Sequence, residues 1–438
     1  MKRTAGLIAA LAVPLLALSA CATPDTEPPA TPDASGELRA QNVSMRTVAL
    51  SEAEALDAAV AATGALGLLA LEAAPHEGNV VVSPAGLATA LAMLTEGAKG
   101  RSLEDLEAAL GATGEDRRDA FAALQRSVRE LEGDPAEAVG DELPERPILH
   151  LANNLVVNEG FEVRQSFVDA LADGFDAGMQ SADLSSDAGK KVLDAWVNEH
   201  TGGLVEESAI QPDPDLELVL QNAILFAAKW RTPFDGNRTM DLPFVLSDGS
   251  SVEVETMTMS PGEFAYAELD GGWIAVRLPY SEGAHADLLL PPRGTDPAAA
   301  IPGLLAQAAE KLGAAQPIRL ALSLPTLDIP ADEPLDLIES GIFERAGLGS
   351  TVCGNPGVDL SGIGDGPLCV GQAFQQAVLR VDEAGTVAAA VTELGVMKVS
   401  LTMVDETIAF DRPFLFTIVH DETGWPLFQA AIRDPRHE

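Results

Sequence analysis

The chain has 438 residues, 47% of them hydrophobic, which suffices for one large domain or two to three ordinary ones and excludes disorder over most of its length. Its 67 acidic residues against 27 basic ones give a formal charge of −40. Such a surface is well solvated, repels phosphate backbones and anionic lipid, and argues against nucleic acid as a partner.

Lys2 and Arg3 precede the apolar run AGLIAALAVPLLALSA, so residues 1–20 read as a targeting segment outside the fold. The residues LSAC, ending at Cys21, resemble a bacterial lipobox. That resemblance implies cleavage before Cys21 and a lipid-modified cysteine at the new N-terminus; an ordinary secretory signal with an incidental Cys is the alternative. Residues 21–50 continue as a Pro- and acid-rich tether, ATPDTEPPATPDASGE at its start, expected to stay extended. The expectation is an exported protein, lipid-anchored to the cell envelope or surface, or released outside the cell.

SEAEALDAAVAATGALGLLALEAA then predicts a helix begun by a capping box of Ser51 and Glu54. NVVVSP predicts a short strand ended by Pro84, and AGLATALAMLTEGAKG a buried helix. Ser102 is expected to cap a further helix that stops at Gly111. EGDPAEAVGDELPERP reads as a polar connection, ILHLANNLVVNEG as a strand, and residues 166–175 as a helix. KKVLDAWVNEHTGG predicts a helix terminated by its paired glycines. LELVLQNAILFAAKW, an apolar run with Asn222 embedded and Glu217, Gln221 and Lys229 as its other polar residues, predicts a strand covered on both faces. Strands dominate residues 243–327, in SVEVETMTM, WIAVRLPY, ADLLLPP and IRLALSLPTL, with one helix near residues 297–312. AFDRPFLFTIVHD and WPLFQAAIRD close the chain as two strands about a turn at Glu422 to Gly424. Helices first and large sheets later give the α+β class, with residues 51–438 as a single domain.

Searching for chemistry yields little. The six His show no metal-ligand spacing, and no G-x-S-x-G elbow occurs. GIGDGP, at residues 362–367, lacks the strand–turn–helix frame of a nucleotide site. Cys353 and Cys369 could close one disulfide loop in an oxidising compartment, and two thiols without nearby His make no zinc site. No catalytic residue, metal or cofactor is assigned, and the chain is not read as an enzyme.

Several segments, in order, resemble the serpin family. NVVVSPAGLATALAMLTEGAKGRS is similar to its early strand and buried helix, and WVNEHTGGLV followed by LVLQNAILFAAKWRTPFD to a helix and the central strand of its main sheet. VRLPY and ADLLLPP resemble strands of the second sheet, VDEAGTVAAAV the hinge of the reactive loop, and FDRPFLFTIVHDETGWPLF the C-terminal hairpin. The match spans residues 51–435. It implies three sheets, about nine helices and an exposed reactive-centre loop near the C-terminus. It also implies a monomer that forms a covalent 1:1 complex with a serine or cysteine protease. The protease cleaves the loop and is held as an acyl-enzyme, while the freed loop inserts as a new strand in the main sheet.

By the resemblance, Glu383, Gly385, Thr386, Ala388, Ala389 and Ala390 form the hinge, with Gly385 as its flexible pivot and Glu383 anchoring it. Ser83, Asn222, Trp230 and Gln375 fall where the sheet opens. A stretch that must become an internal strand cannot bury charge. Because strand side chains alternate faces, Thr386, Ala388, Ala390, Thr392, Leu394 and Val396 would share the buried side, uncharged throughout. Glu393, the only charge from Thr386 to Met397, falls on the other. The family's spacing from the hinge acid implies cleavage at Val399–Ser400, suiting an elastase-like enzyme; Lys398, which would invite a trypsin-like one, and Met397 are the alternatives. Four positions depart from the family pattern: Gly86 for a usual Ser, Gln375 for a usual His, and Ala430 and Ala431 for a usual Gly-Arg. A non-inhibitory serpin acting as a binding or scaffold protein is the competing reading.

Overall fold

The computed structural model describes residues 38–39, 43–75, 78–139, 142–299, 303–331, 333–387 and 404–436. A two-residue strand, β1 (Leu38–Arg39), precedes α1 (Leu56–Ala73), β2 (Val80–Val82) and α2 (Pro84–Thr95). Ser83 caps α2 by accepting from Gly86 N, and Pro84 occupies the first turn, where an amide would lack a helical partner. α3 (Gly100–Leu110), α4 (Gly114–Ser127) and the one-turn α5 (Pro135–Ala138) follow. Next come β3 (Ile148–Asn158), α6 (Gln165–Phe175), β4 (Gly178–Ala182), α7 (Asp187–His200) and β5 (Leu218–Lys229). The strand-rich middle is β6 (Met240–Val245), β7 (Ser251–Thr258), β8 (Gly262–Glu268), β9 (Ile274–Pro279) and β10 (Ala284–Leu290). Beyond α8 (Leu304–Ala314) lie β11 (Ile318–Pro325), β12 (Leu327–Ile329), β13 (Leu335–Asp336) and α9 (Ile342–Arg345). The chain finishes with β14 (Phe374–Gln375), β15 (Leu379–Val381), β16 (Gly385–Thr386), β17 (Glu406–Ala409), β18 (Phe414–His420) and β19 (Pro426–Ile432).

The described residues thus form nine α-helices and three sheets, the α+β arrangement expected. The main sheet has seven strands in the order β1-β4-β3-β5-β16-β15-β12, and a second, ten-stranded sheet holds β2, β6–β11 and β17–β19. β13 and β14 pair separately. Alternation on β3 and β5 divides the interior. Leu149, Leu155, Phe226 and Ala228 face the large core shared with α1–α4, α6 and the second sheet. Ile148, Leu225 and Ala227 face outward beneath α5, and Val156 and Val219 lie in the cluster that includes Leu193 of α7. α1 is long and apolar enough to cross a bilayer, yet it packs on α2 and β19 as a core helix.

Several local expectations change. Ser51 lies in a 3-10 turn, Leu50–Glu52, and α1 starts only at Leu56; Glu52, not Glu54, reaches back to the Ala49 amide. Ser102 sits inside α3, where its buried hydroxyl donates to Ser350 O and accepts from Asp359 N. The helix expected near residues 297–312 runs from Leu304 to Ala314. β5 is covered continuously only from Leu225 to Ala228; in its first half Val219, Gln221 and Ala223 are buried on the side of α7, while Leu218, Leu220, Asn222 and Ile224 on the opposite side are only half-buried. The tether is not free to residue 50. β1 pairs with Gly178 and Met179 at the sheet edge, and Arg46 bonds Asp173, Glu115 and Asp119.

Candidate functional site

The segment expected to be the hinge begins where β15 turns over at Asp382. That carboxylate accepts from the amides of Ala384 and Gly385, and burial pushes its pKa up despite those bonds. The turn is also held from β5: Trp230 N donates to Ala384 O, and Trp230 Nε1 to Asp382 O at 3.0 Å. Glu383 accepts from the Thr239 hydroxyl through its carboxylate, and from Phe234 N through its carbonyl. Its anchor is therefore the segment following β5.

Gly385 and Thr386 then form β16, already seated between β5 and β15. Gly385 pairs with Lys229, and Thr386 pairs with Ala228 on one side and Val381 on the other. Thr386 is buried, and its Oγ1 lies 2.6 Å from Tyr280 Oη. Tyr280 stacks on Trp230 with ring centroids 4.4 Å apart, and burial pushes its phenol pKa up. The expected role of Gly385 as a pivot gives way to one of close approach. It is not left-handed, and a Cβ there would lie 2.0 Å from Ala228 O and 2.7 Å from Leu143 Cδ1. The unusual backbone is at Val387, with φ 55°. Ala388, Ala389, Ala390, Met397, Lys398, Val399 and Ser400 lie outside the described residues, as does Cys21.

The four residues expected where the sheet opens fall in two places. Gln375 clasps the start of α2, donating to Ser83 O at 2.8 Å and accepting from Ser83 N at 3.2 Å. Ser83 Oγ also donates to Leu427 O, tying α2 to β19. Asn222 joins this cluster from β5: its amide donates to Asn153 Oδ1, and a Cβ on Gly86 would lie 2.7 Å from its Oδ1. Glycine is what lets α2 approach so closely. Trp230 stands eight residues beyond Asn222, just past the end of β5 and about 26 Å away, with Thr386 and Tyr280.

Elsewhere, Cys353 and Cys369 are joined by a disulfide, Sγ–Sγ 1.98 Å. Among the described residues no three His, Cys, Asp or Glu side chains converge as metal ligands would. His285 on β10 lies 2.6 Å from Asp421 and 3.7 Å from Asp287, itself paired in bidentate fashion with Arg277. Tyr280, Thr239, Asp382 and Leu143 were not singled out in the sequence. Tyr280 ends the quoted VRLPY, but nothing in that motif says that its hydroxyl meets Thr386, 106 residues on.

A family model described as "Serpin (serine protease inhibitor)" matches residues 63–435. Alpha-1-antitrypsin 1-1 of Mus musculus is 31% identical over 369 residues, 82% of this chain and 84% of its own length. The thermophilic serpin tengpin in its native state superposes with TM-score 0.74 at 23% identity, over 91% of this chain and 97% of its own. Human thyroxine-binding globulin has the same fold, with TM-score 0.70 at 23% identity, over 88% and 100% of the two chains.

Proposed function

The chain belongs to the serpin family, and from that premise we propose that it inhibits a serine or cysteine protease outside the cytoplasmic membrane as a single-use substrate. The family is described as one of protease inhibitors, not catalysts. In the proposed reaction the protease nucleophile attacks the carbonyl carbon of Val399, and the Val399–Ser400 peptide bond breaks. The Ser400 amine leaves with the proton, and Val399 stays esterified to the protease while the loop enters between β5 and β15. The observation that carries this reading is β16: a two-residue strand already occupies the slot, and no charge follows it until Glu393. An inserted strand would extend the pairing that β16 already makes with β5 on one side and β15 on the other.

Val399 before the bond suits an elastase-like pocket, and Lys398 would redirect the protein to trypsin-like enzymes. Incubation with elastase-, trypsin-, chymotrypsin- and subtilisin-like proteases is expected to give a 1:1 complex that survives boiling in detergent, with the cut mapped by mass at Val399–Ser400. Loop cleavage is also expected to raise the melting temperature. Clipped chain without complex, and no thermal gain, would reject the inhibitor. The second reading, a binding or scaffold serpin without insertion, draws its support from Gly86 and Gln375, both in the α2–β5 cluster. We further propose that the chain is a monomer anchored through lipid on Cys21. Incorporation of a fatty acid label that Cys21→Ser abolishes would bear this out; equal labelling of both would reject it.

A further inference from the structure

Residues 132–139 and 142–147, together a strap, carry no task in the reading above, yet they lie across the outer face of the main sheet at the end of β16. Glu132 accepts from His150 of β3, at 2.5 Å. The Pro135 carbonyl presses on Gly202 just beyond α7, where a Cβ would approach it to 2.5 Å. At the far end Glu145 pairs with Lys229 of β5 at 2.5 Å. The strap is thus fixed to β3, to the end of α7 and to β5. Between these points Ala138 and Leu143 close a buried cluster with Ile148, Leu225, Ala227 and Val387.

Gly385 and Val387, two residues apart, both lie against the strap; Leu143 Cδ1 would be 2.7 Å from a Cβ at Gly385, and Val387 is only 5% exposed. Val387 N donates to Arg380 O at 2.9 Å, extending the rung begun by Thr386. Its backbone, at φ 55°, is in a region that β-branched residues avoid, so its surroundings must hold it there. The side chain already sits under the strap while the backbone points away from the strand direction.

We propose that residues 132–139 and 142–147 form a latch that keeps the first rung of the inserting strand made before cleavage, with Leu143 as a positioning residue for inhibition. This rests on the inhibitory reading. Insertion competes with hydrolysis of the acyl-enzyme, and a strand that starts from an existing rung omits the slowest step of strand addition, the closing of its first contacts. Without the latch, residues 385–387 leave the slot, insertion starts later, and more protease escapes.

The test uses the full chain with Leu143→Ser, Leu143→Met and Val387→Ala; the last removes the gripped methyl groups and leaves the strap intact. Hydrogen exchange at the Val387 amide should accelerate about tenfold or more in Leu143→Ser and Val387→Ala, and little in Leu143→Met. The number of inhibitor molecules consumed per protease should rise about twofold or more in the same two variants, with the rate of loop cleavage unchanged. Unaltered exchange in Val387→Ala overturns the latch, even where Leu143→Ser fails to fold. Faster exchange with equal or lower consumption overturns the positioning role and makes the strap a brake. Where the unaltered protein traps no protease at all, the inhibitory reading falls, and exchange alone still decides whether the latch exists.

Discussion

Thr386 is the residue on which the proposed reaction turns. Its side chain is buried on the core side of the main sheet against Tyr280. Thr386→Arg would place an unpaired charge there at a cost of several kcal/mol. The variant should become a plain substrate, and its detergent-stable complex on a gel should fall at least about tenfold. His285 makes a separate prediction. Burial opposes its charge, but the nearby carboxylates, Asp287 at 3.7 Å and Asp421 hydrogen-bonded at 2.6 Å, outweigh that and raise its pKa. A raised folded-state value means that its stabilisation is complete below the unfolded value of about 6.5 and is lost as pH rises through the folded one. Comparing urea midpoints, His285→Gln should cost about 1.5–3 kcal/mol at pH 6 and distinctly less at pH 9. An equal loss at both would exclude the charged pair. At this scale the sequence was readable where chemistry is strict. The alternation that put Thr386 on the core side follows from strand geometry alone. Val387 was not readable, because a β-branched residue predicts extended backbone, and its left-handed φ arises only from packing under the strap.

Among the elements, the long strands and hydrophobic helices were visible because burial writes itself into periodicity; β3, β5, β9, β10 and the β18–β19 hairpin lie where the apolar patterns put them. Short edges were not. β4, MQSA after a single glycine, carries one apolar side chain worth noticing, and β16 is too brief for any pattern. The strap escaped for the opposite reason. Its composition is polar and Pro-containing, and among its described residues Ala138, Leu143 and Pro147 alone are fully buried. The contact of α2 with β5 supplies a test of the departure at Gly86. Asn222 is held by its bond to Asn153, so it cannot swing aside freely from a new side chain. Gly86→Ser should therefore lower stability by about 1–3 kcal/mol, read as a shift in denaturant midpoint. A neutral or stabilising result would show that the family's usual Ser fits here unaided.

For the whole molecule, the one covalent tie among the described residues joins Cys353 to Cys369 across 16 positions. The loop it closes reaches the rest of the body through Lys99 N to Asp359 O, Gly362 N to Gly97 O, and Arg164 to Ser361 O. Replacing both cysteines by Ser should cost about 2–4 kcal/mol in unfolding free energy, checked by denaturation under non-reducing conditions; no change would mean that these hydrogen bonds suffice alone. The family, its α+β architecture and its sheets were legible from five ordered motifs, whereas the meeting of the strap with Val387 is a long-range fact that no local stretch encodes. The stacking of Trp230 on Tyr280, with the indole nitrogen bonded to Asp382 O, carries a last consequence. An indole emits according to what surrounds it, and this one stands at the mouth through which the strand continuing β16 would pass. Trp273 and Trp425 flank strands of the other sheet and Trp196 lies buried on α7, so the signal of Trp230 is the difference from a Trp230→Phe chain. The protein thus comes with an optical gauge of strand entry, readable in real time and without any label.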